Sequence, residues 1–450
     1  MSMSGFPDTR PKDAVSASLL RLLITLSLCA LFLFVPLYKG GVYSGVFLAV
    51  SLLLWFGVCI QLWLSSDDKT NSAWFYVWCC YTGVICFQLF IIPHLVSWNS
   101  PPIQGLELDI TSRPVNFHST LNSWLAFNAY WGLAYLSSKL SYQHVKLCLL
   151  AISIALVVQI SLGLYFELSG TRQILGLWEK SSYLGSATGT FVNHNHFANF
   201  IAITLPLVGV YLFGDRGMQV KPNSQFNRNW LLIRSAAALL FLCFFCLYAL
   251  LESKSRMGLF VGLIAMWAAL HYLVIAQFKL PRVWMMLVYF LLAVFTLMIS
   301  NFLGIIEMLE RYQRVFGHDM RWDIWSSIFN MPMSVFIWGS GAGTFSEFFS
   351  QYHPAVFSKT AHYAHNEYLQ FLTEYGLIST SILLASLLFW IKQIFTGVTS
   401  KCQTLAFVSI IIMLIHCVVD FNLHIPANAL IFWFSVGLVA NKSLFSVELK

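Results

Sequence analysis

Charge is what this 450-residue sequence has least of: Asp, Glu, Lys and Arg make up 10% of it, where soluble domains carry about 25%. The apolar fraction is 58%, beyond the roughly 45–50% of such domains, and the mean hydropathy is +0.71. A soluble core cannot absorb that excess, so the composition excludes a soluble globular enzyme. The alternating pattern of a membrane β-barrel is also missing, because the apolar residues come in long unbroken runs. No G-x-x-x-x-G-K-[ST] string occurs, which counts against ATP-driven transport. No internal repeat and no low-complexity tract is visible. A disulfide framework is not implied, since all ten cysteines fall in apolar runs or at their edges, where they act as small hydrophobes. Cys243-Phe-Phe-Cys246 has redox or zinc spacing but sits mid-span without flanking polar ligands. The formal charge of +7 fits basic residues sorted to one side of a membrane better than a nucleic-acid partner.

What remains is an all-α, polytopic membrane protein. Spanning helices need about 20 apolar residues each, and about twelve such stretches can be placed: 19–38, 42–64, 74–93, 121–137, 145–166, 197–213, 231–251, 258–276, 283–303, 366–390, 403–419 and 425–440. The first resembles a signal sequence but is expected to stay as an uncleaved helix. An even count puts both termini on one side. With that side cytoplasmic, the inner segments hold 16 of the 26 basic residues, four of them in 214–234, as the positive-inside rule requires. Ten of the twelve histidines fall on the opposite side or near the helix ends that face it; only His144 and His271 do not. Histidine has no part in that rule, so outward-facing chemistry is the expected cause.

Three outer connections are long: 94–120, 167–196 and 304–365. In the last, Glu307, Glu310, Arg311 and Arg314 share one helical face. Arg321-Trp322-Asp323-Ile324-Trp325 then opens an amphipathic helix with an aromatic side, and Gly339, Gly341 and Gly343 follow. A loop of this length is unusual without function. The glycine run is expected to be a tight turn at the membrane surface, although exposed amides there would suit a phosphate.

Polar residues gather at this outer face from separate segments. His194 and His196 open the span at 197, and an H-x-H pair can begin a metal site, but no carboxylate or cysteine stands at ligand spacing nearby. His365, Asn366, Glu367, Gln370 and Glu374 occupy the outer half of an apolar helix, where ionisable groups require a cavity or partners. Arg256 stands in a short turn, Glu252 to Gly258, and Asp420 to Asn428 makes the last outer turn. Guanidinium forks suit a diphosphate, and a histidine can take a proton from an attacking sugar hydroxyl. The flat faces of Trp322, Trp325 and Trp338 suit sugars. Membrane placement suits a lipid-linked donor. Together these features point to glycosyl transfer from a polyprenyl-diphosphate carrier.

At these residues the chain resembles the bacterial O-antigen ligase and O-antigen polymerase superfamily of inner-membrane glycosyltransferases. The resemblance spans most of 180–430. It rests on Gly189 to Ala198 with His194 and His196, on Ser255-Arg256-Met257-Gly258, on Arg321 and Trp325, on Pro332 to Phe345, on His365-Asn366 ahead of Gly376, and on Asp420 to Asn428. Met257 stands where the family often has glycine.

The resemblance implies a glycosyltransferase fold of the C type, with a periplasmic active site and a long periplasmic loop at 304–365. It further implies an undecaprenyl-diphosphate-linked glycan donor, with no nucleotide sugar, metal or other cofactor. The acceptor would be a glycan, a lipid A-core or a protein, and membrane lipid would surround the chain. Carried over by position, His365 is the base or acceptor-orienting residue and Arg256 contacts the diphosphate. Arg321 and Arg314 are further candidates for that contact, with His194, His196, Asn366 and Glu367 as substrate-binding positions. The expected divisions are 1–180, helices without a recognisable motif; 181–430, the ligase-like region; and 431–450, the end of the last helix and a cytoplasmic tail. Polymerase and ligase both fit, as does protein O-glycosylation. A non-enzymatic transporter or flippase of lipid-linked oligosaccharide is the alternative from a different class, but it should show related halves and midplane charges.

Overall fold

The computed structural model describes residues 14–64, 71–95, 116–213, 225–273, 320–350, 361–394 and 400–444. The expected span 283–303, Arg314, and 304–319 and 351–360 of the long loop lie outside the described residues.

Long apolar runs become helices, because in lipid a helix satisfies its backbone polar groups within itself, even where Pro206 or Gly376 falls inside the run. In chain order these are α1 (Ala14–Phe34), α2 (Ser44–Leu64), α3 (Asn71–Phe90), the short α4 (Ile92–Leu95), α5 (Phe117–Lys139), α6 (Tyr142–Ser169), α7 (His194–Phe213), α8 (Gln225–Ser253) and α9 (Arg256–Leu273). Three short helices follow, α10 (Met320–Phe329), α11 (Met333–Trp338) and α12 (Phe345–Phe349), and then α13 (Glu367–Ile394), α14 (Lys401–His416) and α15 (Pro426–Val439). The described residues contain one two-stranded hairpin, β1 (Gln173–Ile174) antiparallel to β2 (Trp178–Glu179).

Among the described residues, seven helices are long and apolar enough to cross a membrane: α1, α2, α3, α6, α7, α8 and α13. Helices also stand at the expected spans 121–137, 403–419 and 425–440, and over the described part, 258–273, of the expected span 258–276. Of these, α9, α14 and α15 are shorter apolar helices, and α5 carries its polar residues Asn122, Asn128, Ser137 and Ser138 within the run.

α7 is the centre of the bundle. It packs against α6, α8, α9, α14 and α15, and nearly every side chain from Phe197 to Val210 is buried. A helix apolar on all sides belongs in the interior. One continuous apolar cluster joins it to α1, α2, α5 and α6 on one side and to α8, α9, α14 and α15 on the other. A second cluster is aromatic: Trp74, Trp131, Tyr135 and Trp390 tie α3, α5 and α13 together, with Trp74 and Trp390 edge-to-face at 4.9 Å. A third lies under the long loop, where Ile324, Ile328, Val335, Phe345 and Phe349 give α10–α12 a small core of their own.

Candidate functional site

The start of α7 is built by backbone demands. Gly189 has φ +53°, and a Cβ there would stand 2.5 Å from Gln159 Oε1. Gln159 accepts the Thr190 amide at 3.1 Å, and Asn193 Oδ1 accepts the Asn195 amide at 2.8 Å as the helix opens. His194 and His196 then diverge, since residues two apart on a helix point about 200° from each other. His194 turns its Nδ1 to the Ser253 carbonyl and stacks on Tyr183 at 4.4 Å. His196 points to Asp420, with Nε2 at 3.6 Å from Oδ1. The pair therefore does not converge on a single ligand.

The Arg256 turn is stapled to the loop before α7. The Ala187 amide donates to the Glu252 carbonyl at 2.9 Å, and Lys254 Nζ donates to the Gly185 carbonyl. Ser255 Oγ accepts the Gly258 amide at 3.1 Å and so caps α9. Gly258 lets α9 close on α7, because a Cβ there would stand 2.3 Å from Ala198 Cβ. Serine and glycine of the Ser-Arg-x-Gly string thus fix the turn, and Arg256 is the exposed residue between them.

Arg321 and Trp325 form one device on α10. Trp325 Nε1 donates to the Ala364 carbonyl at 2.9 Å and pins the helix beside His365. One turn back, Arg321 reaches Asp420 Oδ2 at 3.9 Å. Trp322, on the other side, is 68% exposed. His365 brings its Nδ1 to 3.7 Å from Asp420 Oδ1. Three side chains from three segments thus meet one carboxylate.

Asp420 is fully buried, and its Oδ1 also accepts the Phe421 amide at 2.9 Å. Burial by itself raises a carboxyl pKa, yet His196 and His365 beside it hold Asp420 well below the usual range. The contacts at 3.6–3.9 Å are ion-pair distances rather than short hydrogen bonds, and His196 Nε2, His365 Nδ1 and Asp420 Oδ2 have no closer partner among the described residues. The Phe421 ring meets both imidazoles edge-on, at 4.7 Å to His196 and 4.8 Å to His365. Behind it, Asn428 Nδ2 donates to the His196 carbonyl and to Asn422 Oδ1, both at 3.1 Å. His416 Nδ1 pairs with Asn199 Oδ1 at 3.0 Å.

Asn366 and Glu367 have other partners. Asn366 Oδ1 accepts the Tyr368 and Leu369 amides at 3.0 Å, which makes it the N-cap of α13. Glu367 accepts from His424 Nδ1 at 3.1 Å and from the Leu423 amide at 2.9 Å. Burial disfavours a charged His424, but Glu367 and then Glu374 raise it to about 9. These contacts lock the start of α13 to the Asp420 turn, as does the Glu367 amide on the Cys417 carbonyl at 3.0 Å.

The glycine run is a turn, and its amides are taken. Ser340 and Gly341 donate to the carbonyls of Thr373 and Glu374 at 2.8 and 3.0 Å. Ala342 donates to Gln88 Oε1 at 3.1 Å, Gly343 to Glu374 Oε2 at 2.9 Å, and Phe345 to Glu374 Oε1 at 3.3 Å. Nothing in this run is left to cradle a phosphate. Gly339 and Gly376 touch backbone to backbone: a Cβ on Gly376 would lie 2.4 Å from Gly339 N. Glu374, deep in α13, has its partners here.

Of the positions expected from sequence, the structure brings His365, His196 and Arg321 together. It sets His194 and Arg256 on the adjoining turn, and gives Asn366 and Glu367 structural contacts. The centre of the arrangement, Asp420, was expected only as part of a polar turn. Its signal was a lone carboxylate between two apolar helices in a chain with 19 acidic residues. Among the described residues, no three His, Cys, Asp or Glu side chains converge as metal ligands would.

A bundle of apolar helices with a polar cluster at one end defines a multi-pass membrane protein with a site where helix ends meet a folded loop. Residues 241–384 match the family model described as O-antigen ligase. The match supports the O-antigen ligase and polymerase superfamily and, with it, an O-antigen ligase-type role in glycan transfer acting on lipid-linked glycan and acceptor substrates. No curated protein matches the chain.

Proposed function

We propose that the protein transfers a glycan from an undecaprenyl-diphosphate carrier to an acceptor hydroxyl at the periplasmic face of the bacterial inner membrane, as polymerase or ligase in surface-polysaccharide assembly. The observation that carries this reading is the meeting of His365, His196 and Arg321 on the buried Asp420. His365 takes or orients the acceptor proton as the sugar oxygen attacks the anomeric carbon. The carbon–oxygen bond to the diphosphate breaks, and its electron pair leaves with the lipid diphosphate. Arg321, tethered at one end by Asp420, and Arg256 on the adjoining turn meet that charge with pre-placed guanidinium groups. Such groups need no reorganisation as the leaving group departs. Neither residue has to change its protonation state, since arginine stays charged throughout. The chemistry requires only the chain's own side chains and no nucleotide donor.

The test is direct. Purified protein in lipid vesicles receives a polyprenyl-diphosphate-linked glycan and a panel of glycan, lipid A-core and protein acceptors. Glycan should move to one acceptor class with release of polyprenyl diphosphate. Movement of the intact lipid-linked donor between leaflets, without bond cleavage, would replace the reading with transport.

A further inference from the structure

We infer that Asp420 is the positioning residue for His365: it fixes Nδ1 as the protonated, inward nitrogen and leaves Nε2 as the atom that takes the acceptor proton. The inference rests on the glycan-transfer reading above and deepens it. His365 Nδ1 is buried and faces Asp420 Oδ1 at 3.7 Å, while 26% of the side chain stays exposed. A ring nitrogen that faces an ionised carboxylate carries the hydrogen, because two acceptors do not face each other. The lone pair is then on Nε2, across the ring from the buried edge.

Two further features hold this arrangement. Asp420 is fully buried and anchored by the Phe421 amide, and the Phe421 ring packs edge-on against His365. His365 itself has φ +51° immediately before the Asn366 cap. A residue with a side chain keeps that left-handed backbone only where its surroundings fix it. In the reaction, the acceptor hydroxyl proton passes to Nε2 as the new glycosidic bond forms and the bond to diphosphate breaks. Asp420 balances the imidazolium without taking a proton itself, the logic of an oriented histidine–carboxylate pair. Among the described residues, the other charged or titratable groups around Asp420 are His196 from α7, Arg321 from α10, and His416 and Cys417 at the end of α14, with His194 and Tyr183 beyond them.

Asp420→Asn removes the charge that balances the imidazolium and leaves only a neutral amide oxygen, still held by the Phe421 amide, opposite Nδ1. Turnover per folded enzyme should fall about 10²–10⁴-fold, with the donor KM little changed. Loss of the negative charge should also move the acid limb of the kcat/KM profile to lower pH. A merely structural role would reduce the amount of folded protein and leave the limb in place. Combined with His365→Ala, Asp420→Asn should cost almost nothing more, because both act on one step. A measurement on the wild-type protein covers the case of a misfolded variant. Histidine ¹⁵N spectra, with His365 identified by its loss in His365→Ala, should show the neutral ring protonated on Nδ1. A ring protonated on Nε2, or an Asp420→Asn enzyme within about threefold of wild-type turnover, overturns the inference. If the wild-type protein transfers no glycan, the functional reading fails by itself, and the tautomer still decides the role of Asp420.

Discussion

At the scale of single residues, the proposed chemistry divides between proton transfer and charge neutralisation, and the two make different predictions. His365→Ala should lower transfer about 10²–10⁴-fold while donor binding persists. Arg256→Ala should weaken both, and Arg256→Lys should rescue poorly because an ammonium cannot reproduce the guanidinium fork. Glycan transfer normalised to folded enzyme checks all three; near wild-type turnover in His365→Ala would make that histidine a structural feature of the α13 start. The second residue-scale prediction concerns His424. Its pKa is raised from 6.5 to about 9, so it is protonated at neutral pH and paired with Glu367. The stabilisation from that pair is complete below about pH 6.5 and fades as pH climbs through about 9. The side chain is 34% exposed, so the effect belongs at the surface-pair scale, on the order of 0.2–1 kcal/mol. Thermal unfolding followed from pH 6 to pH 10 should show this loss in the wild type and a flatter curve in Glu367→Gln.

At the scale of elements, α13 and the glycine turn are one unit. Gly376 sits inside α13 with φ 70° and ψ 169°, a conformation closed to residues with a Cβ. Its backbone meets Gly339 of the turn after α11. Gly376→Ala combines backbone strain of about 1–3 kcal/mol with a clash against backbone atoms that cannot swing away. The expected result is loss of monodisperse protein after detergent extraction. Glu374→Gln should be milder, since its one amide oxygen still accepts from either Gly343 or Phe345, which bond separate carboxylate oxygens. If Gly376→Ala extracts as well as wild type, the turn does not hold α13. The motif's glycines thus belong to helix packing, whereas their spacing alone had also allowed a phosphate cradle.

At the scale of the molecule, the excess of basic residues in the expected inner segments predicts that both termini are cytoplasmic and the 304–365 loop periplasmic. Reporter fusions at 340 and 450 should give opposite responses, and the same response at both would refute that topology. Exhaustive chelation should leave activity intact; loss with EDTA that zinc or manganese restores would reassign His196 and its neighbours as ligands.

The sequence by itself determined the solvent of this protein, because hydropathy is additive along a chain and needs no partner to be read. It also determined the order of the helices and the side-chain types gathered at one face. His365, Arg256 and Arg321 stood out as candidates because polar and charged side chains are so rare here that each exception is visible. Only the tertiary structure decided which of those groups meet. His194 and His196 are neighbours in sequence yet turn to different elements, as the helical rotation between them dictates. Asn366 and Glu367, expected as substrate-binding positions, have partners at the start of α13: Asn366 accepts the Tyr368 and Leu369 amides, as free amides at a helix end require, and Glu367 accepts the Leu423 amide. Asp420, separated by 55 to 224 positions from the histidines it faces, becomes the centre only when α7, α10 and the α14–α15 turn are packed together. Spatial convergence of distant segments is a property of packing, and no local pattern encodes it.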